Sequence, residues 1–150
     1  MRRISIAAAL MLLAAPALAD DDLVKVRANA DVATTMDALE TAVEGAGATV
    51  FARVDHAAGA EEAGMQISPS QVLIFGNPKL GTPAMQADPL AGLFLPMKVL
   101  VYEDADGQVW MVYEDPEEMF DELDQIDDDA DYIKQMTGAL GKLTGAAAGG

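Results

Sequence analysis

Lys98-Val99-Leu100-Val101-Tyr102 and Gln108-Val109-Trp110-Met111-Val112-Tyr113, joined through Asp104-Ala105-Asp106-Gly107, read as two β-strands and the turn between them. Both runs are rich in β-branched and aromatic residues, which suit a pleated, half-buried surface. Asp and Gly both tolerate positive φ, so Asp106-Gly107 is a strong hairpin signal. A hairpin of this quality means that at least part of the sheet is antiparallel, and the rest of the chain is read outward from it.

On its N-terminal side stands Phe75-Gly76-Asn77-Pro78-Lys79-Leu80-Gly81-Thr82-Pro83, continuing to Leu93-Phe94-Leu95-Pro96-Met97-Lys98. Residues 70–75 make a third strand that stops at Gly76. Asn77-Pro78 offers a helix N-cap followed by proline at the first helical position, and Thr82-Pro83 repeats the pattern five residues later. Further upstream, Leu23-Val24-Lys25-Val26-Arg27 alternates apolar and basic residues as a strand with one solvated face. Asp31 is a plausible N-cap for a helix with Val32, Met36, Leu39 and Val43 on one side, ending at Gly45 or Gly47. Thr49-Val50-Phe51-Ala52-Arg53-Val54-Asp55-His56 alternates again, and residues 57–64 suggest a short helix.

Beyond the hairpin, Asp115-Pro116-Glu117-Glu118 starts a helix with acids at the positive end of its dipole. Residues 132–140 suggest a further helical segment, and residues 141–150, rich in Gly and Ala, a frayed tail. The order β-α-β-(α)-β-loop-β-β-α lacks regular βαβ alternation. It predicts a two-layer α+β domain with a largely antiparallel sheet and helices on one face. Phe51, Ile74 or Phe75, and Trp110 are candidates to cover the other face by contact with a second subunit.

The first 19 residues have the form of a secretory signal peptide: Met1-Arg2-Arg3, an apolar centre, and Ala17-Leu18-Ala19 before three aspartates. The apolar centre, roughly 15 residues, is short of the ~20 that span a bilayer. Cleavage is expected after Ala19, giving a soluble protein that is periplasmic or secreted. No cysteine follows, so no lipoprotein anchor, disulfide or thiolate metal site is expected. Residues 20–123 make one α+β domain, and residues 124–150 an acidic helical extension with a flexible Gly/Ala tail. The formal charge is −16; without Arg2 and Arg3, seven bases stand against 25 acids, a charge of −18. Such a surface repels nucleic acid and anionic lipid.

Val54-Asp55-His56, Gly64 with Ser68-Pro69, Phe75-Gly76-Asn77-Pro78, Gly81-Thr82, Leu93-Phe94-Leu95-Pro96-Met97-Lys98 and Glu103-Asp104-Ala105-Asp106-Gly107 occur in one order. Together they resemble the family called domain of unknown function 302, over residues 23–123. The resemblance implies an α+β domain of TATA-binding-protein-like topology, often dimeric, whose biochemical role is not established. The family's recurring polar positions correspond to His56, Asn77, Thr82 and Lys98, the candidate ligand-binding set.

His56 is the sole histidine, beside an aspartate that could fix its tautomer; capping at a strand–helix junction is the simpler role. As a general acid/base it would need Asn77 or Thr82 within reach, and as the base of a nucleophile it would need Ser68, Ser70 or Thr82. Spacing selects none of them. Residues 76–82 lack the lysine of a phosphate loop, and Pro78 removes an amide, so nucleotide binding is not expected. Free amides at the start of a Pro78 or Pro83 helix could hold a small anion, whereas Asn77 and Thr82 would otherwise serve as caps.

One histidine and no cysteine make no closed zinc site. Met65, Met85, Met97, Met111 and Met119 are unclustered and read as core filling rather than copper ligands. Residues 103–131 hold fourteen acids and no Lys or Arg, which reads as a solvated face with weak calcium binding as the alternative. No cofactor is indicated. Three functions of different class stand: a homodimeric binding or interaction module of the cell envelope with a small-molecule or protein ligand, an enzyme with His56 as general acid/base, and a metal or haem carrier through His56.

Overall fold

The computed structural model describes residues 22–149; the leader proposed for residues 1–19 lies outside the described residues. The chain runs β1 (Leu23–Arg27), α1 (Val32–Gly45), β2 (Thr49–Asp55), α2 (His56–Glu62), β3 (Ser70–Gly76), α3 (Pro78–Ala87), α4 (Ala91–Phe94), β4 (Met97–Glu103), β5 (Val109–Glu114), α5 (Pro116–Met119) and α6 (Asp131–Ala148). The sheet order is β1-β5-β4-β3-β2, and all four pairings are antiparallel. The domain is α+β with two layers, as its element order predicts.

The hairpin between β4 and β5 forms with one difference. Only Gly107 takes positive φ, at 77°, and Asp106 does not. The Gly107 amide donates to the Asp104 carbonyl at 3.0 Å, and the Asp104 amide to the Gln108 carbonyl at 2.9 Å. This is a three-residue loop rather than a two-residue turn. The Asp104 carboxylate clamps it, accepting from the amides of Asp106 and Gln108 and, at 2.8 Å, from Trp110 Nε1. The indole is thereby fixed on the sheet.

Registration sorts the side chains by face. One row, Val26, Met111, Val101 and Gln71, points to the helices; the next, Lys25, Val112, Leu100, Val72 and Val54, points away from them. On the helix side α1 and α6 lie across the sheet and against each other. Asp31 caps α1 by accepting from the Thr34 amide, and the residues at steps of four, three and four, Val32, Met36, Leu39 and Val43, are all buried. Val99, Val101, Met111 and Leu73 meet them from the sheet. Phe75 also belongs to this core, so of the pair Ile74 and Phe75 it is Ile74 that faces outward. Met97, Met111 and Met119 are core residues, whereas Met65 and Met85 are exposed.

Two expectations are corrected. Thr82-Pro83 does not begin a second helix: α3 runs unbroken from Pro78 to Ala87 with Pro83 inside it. The ring costs α3 one backbone hydrogen bond, tolerated in a helix with one side in solvent. The second correction concerns residues 124–150, which are not an extension ending in a flexible tail. α6 continues for 18 residues to Ala148, and Ile133, Met136, Leu140, Leu143, Thr144 and Ala147 are buried. Gly138, Gly141 and Gly145 all fall on its exposed side. Glycine there costs about 1 kcal/mol each relative to Ala, which burial of one leucine offsets by about 2 kcal/mol. Tertiary contact outweighs local preference, and α6 is part of the domain.

Candidate functional site

The four family-like polar residues fall in three places. His56 opens α2, at the end of β2 where Asp55 pairs with Gln71. Asn77 follows Gly76 at the opposite end of β3; Gly76 is five residues from Gln71, a separation of about 17 Å along the strand. Lys98 is exposed on the outward face of the sheet, opposite Ile74. Only Asn77 and Thr82 share a site, and His56 is not the neighbour of the loop that the sequence reading expects. The physical reason is topological: β2 and β3 are antiparallel neighbours, so the residue after β2 and the residue after β3 lie at opposite ends of the sheet.

Asp55 does not orient His56. Its Oδ1 accepts from the Ala58 amide at 2.9 Å, capping α2, and its Oδ2 accepts from Gln71 Nε2 at 2.9 Å. Gln71 Oε1 in turn accepts from Arg53 Nε at 2.9 Å, and Arg53 Nη1 bridges Asp37 at 2.6 Å and Glu40 at 3.2 Å on α1. Partial burial opposes the Arg53 charge, but the bonds from Asp37 and Glu40 prevail and hold its guanidinium more basic than usual. This chain fastens α1 to β2 and leaves the exposed imidazole outside it. Of the nucleophile candidates, Ser68 and Ser70 are on His56's end of the sheet and Thr82 is on the other.

At the Asn77 end the structure opens a cleft of about 430 Å³. Its floor is Phe75 and Met97, α3 supplies Leu80, Thr82 and Met85, and α6 supplies Met136, Ala139 and Leu143. Phe51 stands at the mouth, 61% exposed, in the bulge that interrupts the β2–β3 register between Val50 and Ala52. Gly76 lets it lie there, since a Cβ would come 3.3 Å from Phe51 Cε2 and 3.5 Å from Pro96 Cβ. The walls are almost wholly apolar. Asn77 Oδ1 accepts from the Lys79 amide at 3.0 Å, and the Leu80 and Gly81 amides donate to the Asn77 carbonyl. The amides that could have held an anion at the start of α3 are thus engaged. Asn77 is a helix cap, and Thr82 sits within α3 rather than capping it.

Sequence reasoning missed most of this site. Its α6 wall was hidden because the glycines of residues 141–150 suggest fraying; the spacing Met136, Leu140, Leu143, Ala147 is the signal that marks a helix there. Among the described residues no three His, Asp or Glu side chains are grouped to hold a metal ion, in the acidic stretch or elsewhere.

The outward sheet face is the second candidate. Val54, Val72, Leu100 and Val112 form an apolar row across four strands, flanked by Ile74 on one side and by Tyr102 and Trp110 on the other. Lys25, Arg27, Lys98 and Glu114 edge it, and a shallow depression runs between Leu100, Val112 and Lys98. α1 and α6 lie on the opposite face, while Met119 of α5 reaches the β5 side of the depression, where Val112 is buried.

A two-layer α+β domain with an antiparallel five-stranded sheet, one helix-covered face and one open face defines the class. The chain belongs to the family described as domain of unknown function DUF302, whose model matches residues 24–143 and so includes most of α6. It is similar in structure to the uncharacterized conserved protein DUF302 from Bacillus stearothermophilus, with a TM-score of 0.67 over 84% of this chain and 94% of that one, at 20% sequence identity. That likeness concerns the fold. Two curated relatives are similar in sequence, each named fluoride-specific ion channel FluC 1, from Brucella suis and Brucella abortus. Each is 43% identical over 97 residues, 65% of this chain, and the match spans only 38% and 36% of their own lengths. No helix among the described residues is long and apolar enough to cross a membrane.

Proposed function

We propose that this protein is a binding or interaction module of the cell envelope, periplasmic or secreted, that acts as a homodimer through its open sheet face. The observation that carries the reading is the apolar row Val54, Val72, Leu100 and Val112, with Ile74, Tyr102 and Trp110 beside it, on the sheet face turned away from α1 and α6; Val54 is exposed, and all of the others except the buried Val112 are partly exposed. An apolar patch of this kind rimmed by Lys25, Lys98 and Glu114 has the composition of an interface, apolar at the centre and polar at the edge. The leader-like start of the chain supports export. The names of the Brucella relatives supply a further hint of an envelope setting, since an ion channel works in a membrane and most of their length lies outside the match.

The acid/base and metal or haem readings each lose the geometry they need. His56 is exposed, lies far from Asn77 and Thr82, and does not border the apolar cleft. Light scattering on the purified protein tests the dimer. Twice the chain mass is expected, and Ile74→Glu together with Leu100→Glu should give monomers of unchanged circular dichroism. A monomeric parent protein at micromolar concentration refutes the reading.

A further inference from the structure

We propose that the cleft between α3 and α6 binds the hydrocarbon chain of a free long-chain carboxylate, with the carboxylate at the mouth beside Lys79 and Lys142. The cleft is concave, and its volume of about 430 Å³ lies in the range of small-molecule sites. Its lining offers a ligand few polar partners: Asn77 Oδ1 and the Lys79, Leu80 and Gly81 amides are already bonded within the cap, and only the Asn77 amide nitrogen and the Thr82 hydroxyl, both on the α3 side, are left among the lining side chains. A polar ligand filling it would lose most of its hydration without replacement, so the buried part of the ligand is hydrocarbon. The walls are side chains that adjust to a flexible chain, Met85, Met97 and Met136 with Leu80, Leu95 and Leu143.

The head group follows from charge. On a protein of net charge −16, two of the few basic residues stand beside lining residues on the two flanking helices. Neither lysine lines the cleft itself, but Lys79 stands three residues before the lining Thr82 on α3 and Lys142 three residues after the lining Ala139 on α6, so each flanks the lined side of its helix. Both are exposed, and among the described residues neither has a salt-bridge partner, in contrast to Arg53 and Lys134. Two cations without a salt-bridge partner among the described residues, flanking the lined sides of α3 and α6 on an otherwise acidic protein, favour an anionic head and leave neutral amphiphiles to the tail contacts alone.

The test is calorimetric titration of the purified protein with dodecanoate below its micelle concentration, beside dodecanol and decanoate. One dodecanoate per chain is expected, and removing two carbons should weaken binding about tenfold. Ala139→Trp, which places an indole in the cleft from a partly exposed position, should abolish binding while circular dichroism is retained. The pair Lys79→Glu and Lys142→Glu, remote from the core, should weaken dodecanoate several-fold and leave dodecanol unchanged. Absence of dodecanoate binding, or equal affinity in Ala139→Trp, overturns the site. Unchanged dodecanoate affinity in the charge-reversed protein overturns the head-group assignment. Co-sedimentation with phosphatidylglycerol vesicles without binding of monomeric dodecanoate overturns the free carboxylate in favour of a bilayer lipid. Light scattering reports the dimer separately, so a monomer that binds dodecanoate through the cleft fails only the dimer reading.

Discussion

Replacing Leu143 by Ala and Gly141 by Ala, two positions apart on α6, should move stability in opposite directions. Leu143 is 7% exposed, against the core and on the cleft wall. Leucine-to-alanine changes in cores cost about 2–5 kcal/mol, and the lower end applies because one side of Leu143 borders an open space that needs no new cavity. A loss of about 2 kcal/mol corresponds to a fall in Tm of roughly 7 °C for a domain of this size. Gly141 is exposed, and a Cβ there would meet nothing within 4 Å. Alanine at that site gains helix propensity, about 0.8–1 kcal/mol, and should raise Tm by roughly 3 °C. Differential scanning calorimetry of the two single variants and the parent measures both signs. Opposed shifts are what a packed helix requires. Two values within 1 °C of the parent would refute the packing of α6 beyond Leu140 and restore a frayed tail.

Three further outcomes follow from the same geometry. Asn77→Ala removes the α3 cap, in which Asn77 Oδ1 accepts from the Lys79 amide, and should cost about 1 kcal/mol in urea unfolding. The Trp110 indole first, then the Gln108 amide, with the Asp106 amide adding least, hold the Asp104 carboxyl below its usual range against an opposing desolvation. A depressed carboxyl contributes stability that is present above its unfolded pKa, about 3.9, and is lost as pH falls through the lower folded value. Trp110 fluorescence should therefore report a loosening of the hairpin below about pH 4, and Asp104→Asn should show this loosened state already at pH 7. His56→Ala should leave Tm within about 1 °C, because the imidazole is exposed and the junction is secured by Asp55, Gln71 and Arg53. A larger fall would assign His56 a structural partner that the geometry does not give it.

The elements were legible wherever local chemistry and tertiary environment agree. Asp31, Asn77 and Asp115 cap their helices by accepting the amides that their positions predict. The hairpin of β4 and β5 forms where Asp106-Gly107 stands, and Val32, Met36, Leu39 and Val43 are buried as their spacing requires. Local signals misled where they were punctuation without context. Pro83 reads as a helix start yet lies inside α3, and Gly141 and Gly145 read as part of a frayed end yet face solvent on a helix whose other side is core.

The sequence alone determined the α+β class, the antiparallel hairpin and the acidic surface, because these depend on residue periodicity, turn residues and charge count. Position in space belonged to the tertiary structure. The family-like residues His56, Asn77, Thr82 and Lys98 look like one set along the chain, but antiparallel pairing of β2 with β3 sends His56 to the far end, and strand alternation turns Lys98 to the open face. The cleft is assembled from β2, β3, β4, α3 and α6, with lining residues as far apart as Ala46 and Leu143. No local pattern encodes such a cavity, since it is the space left when helices of given length and side-chain volume pack at the end of a twisted sheet.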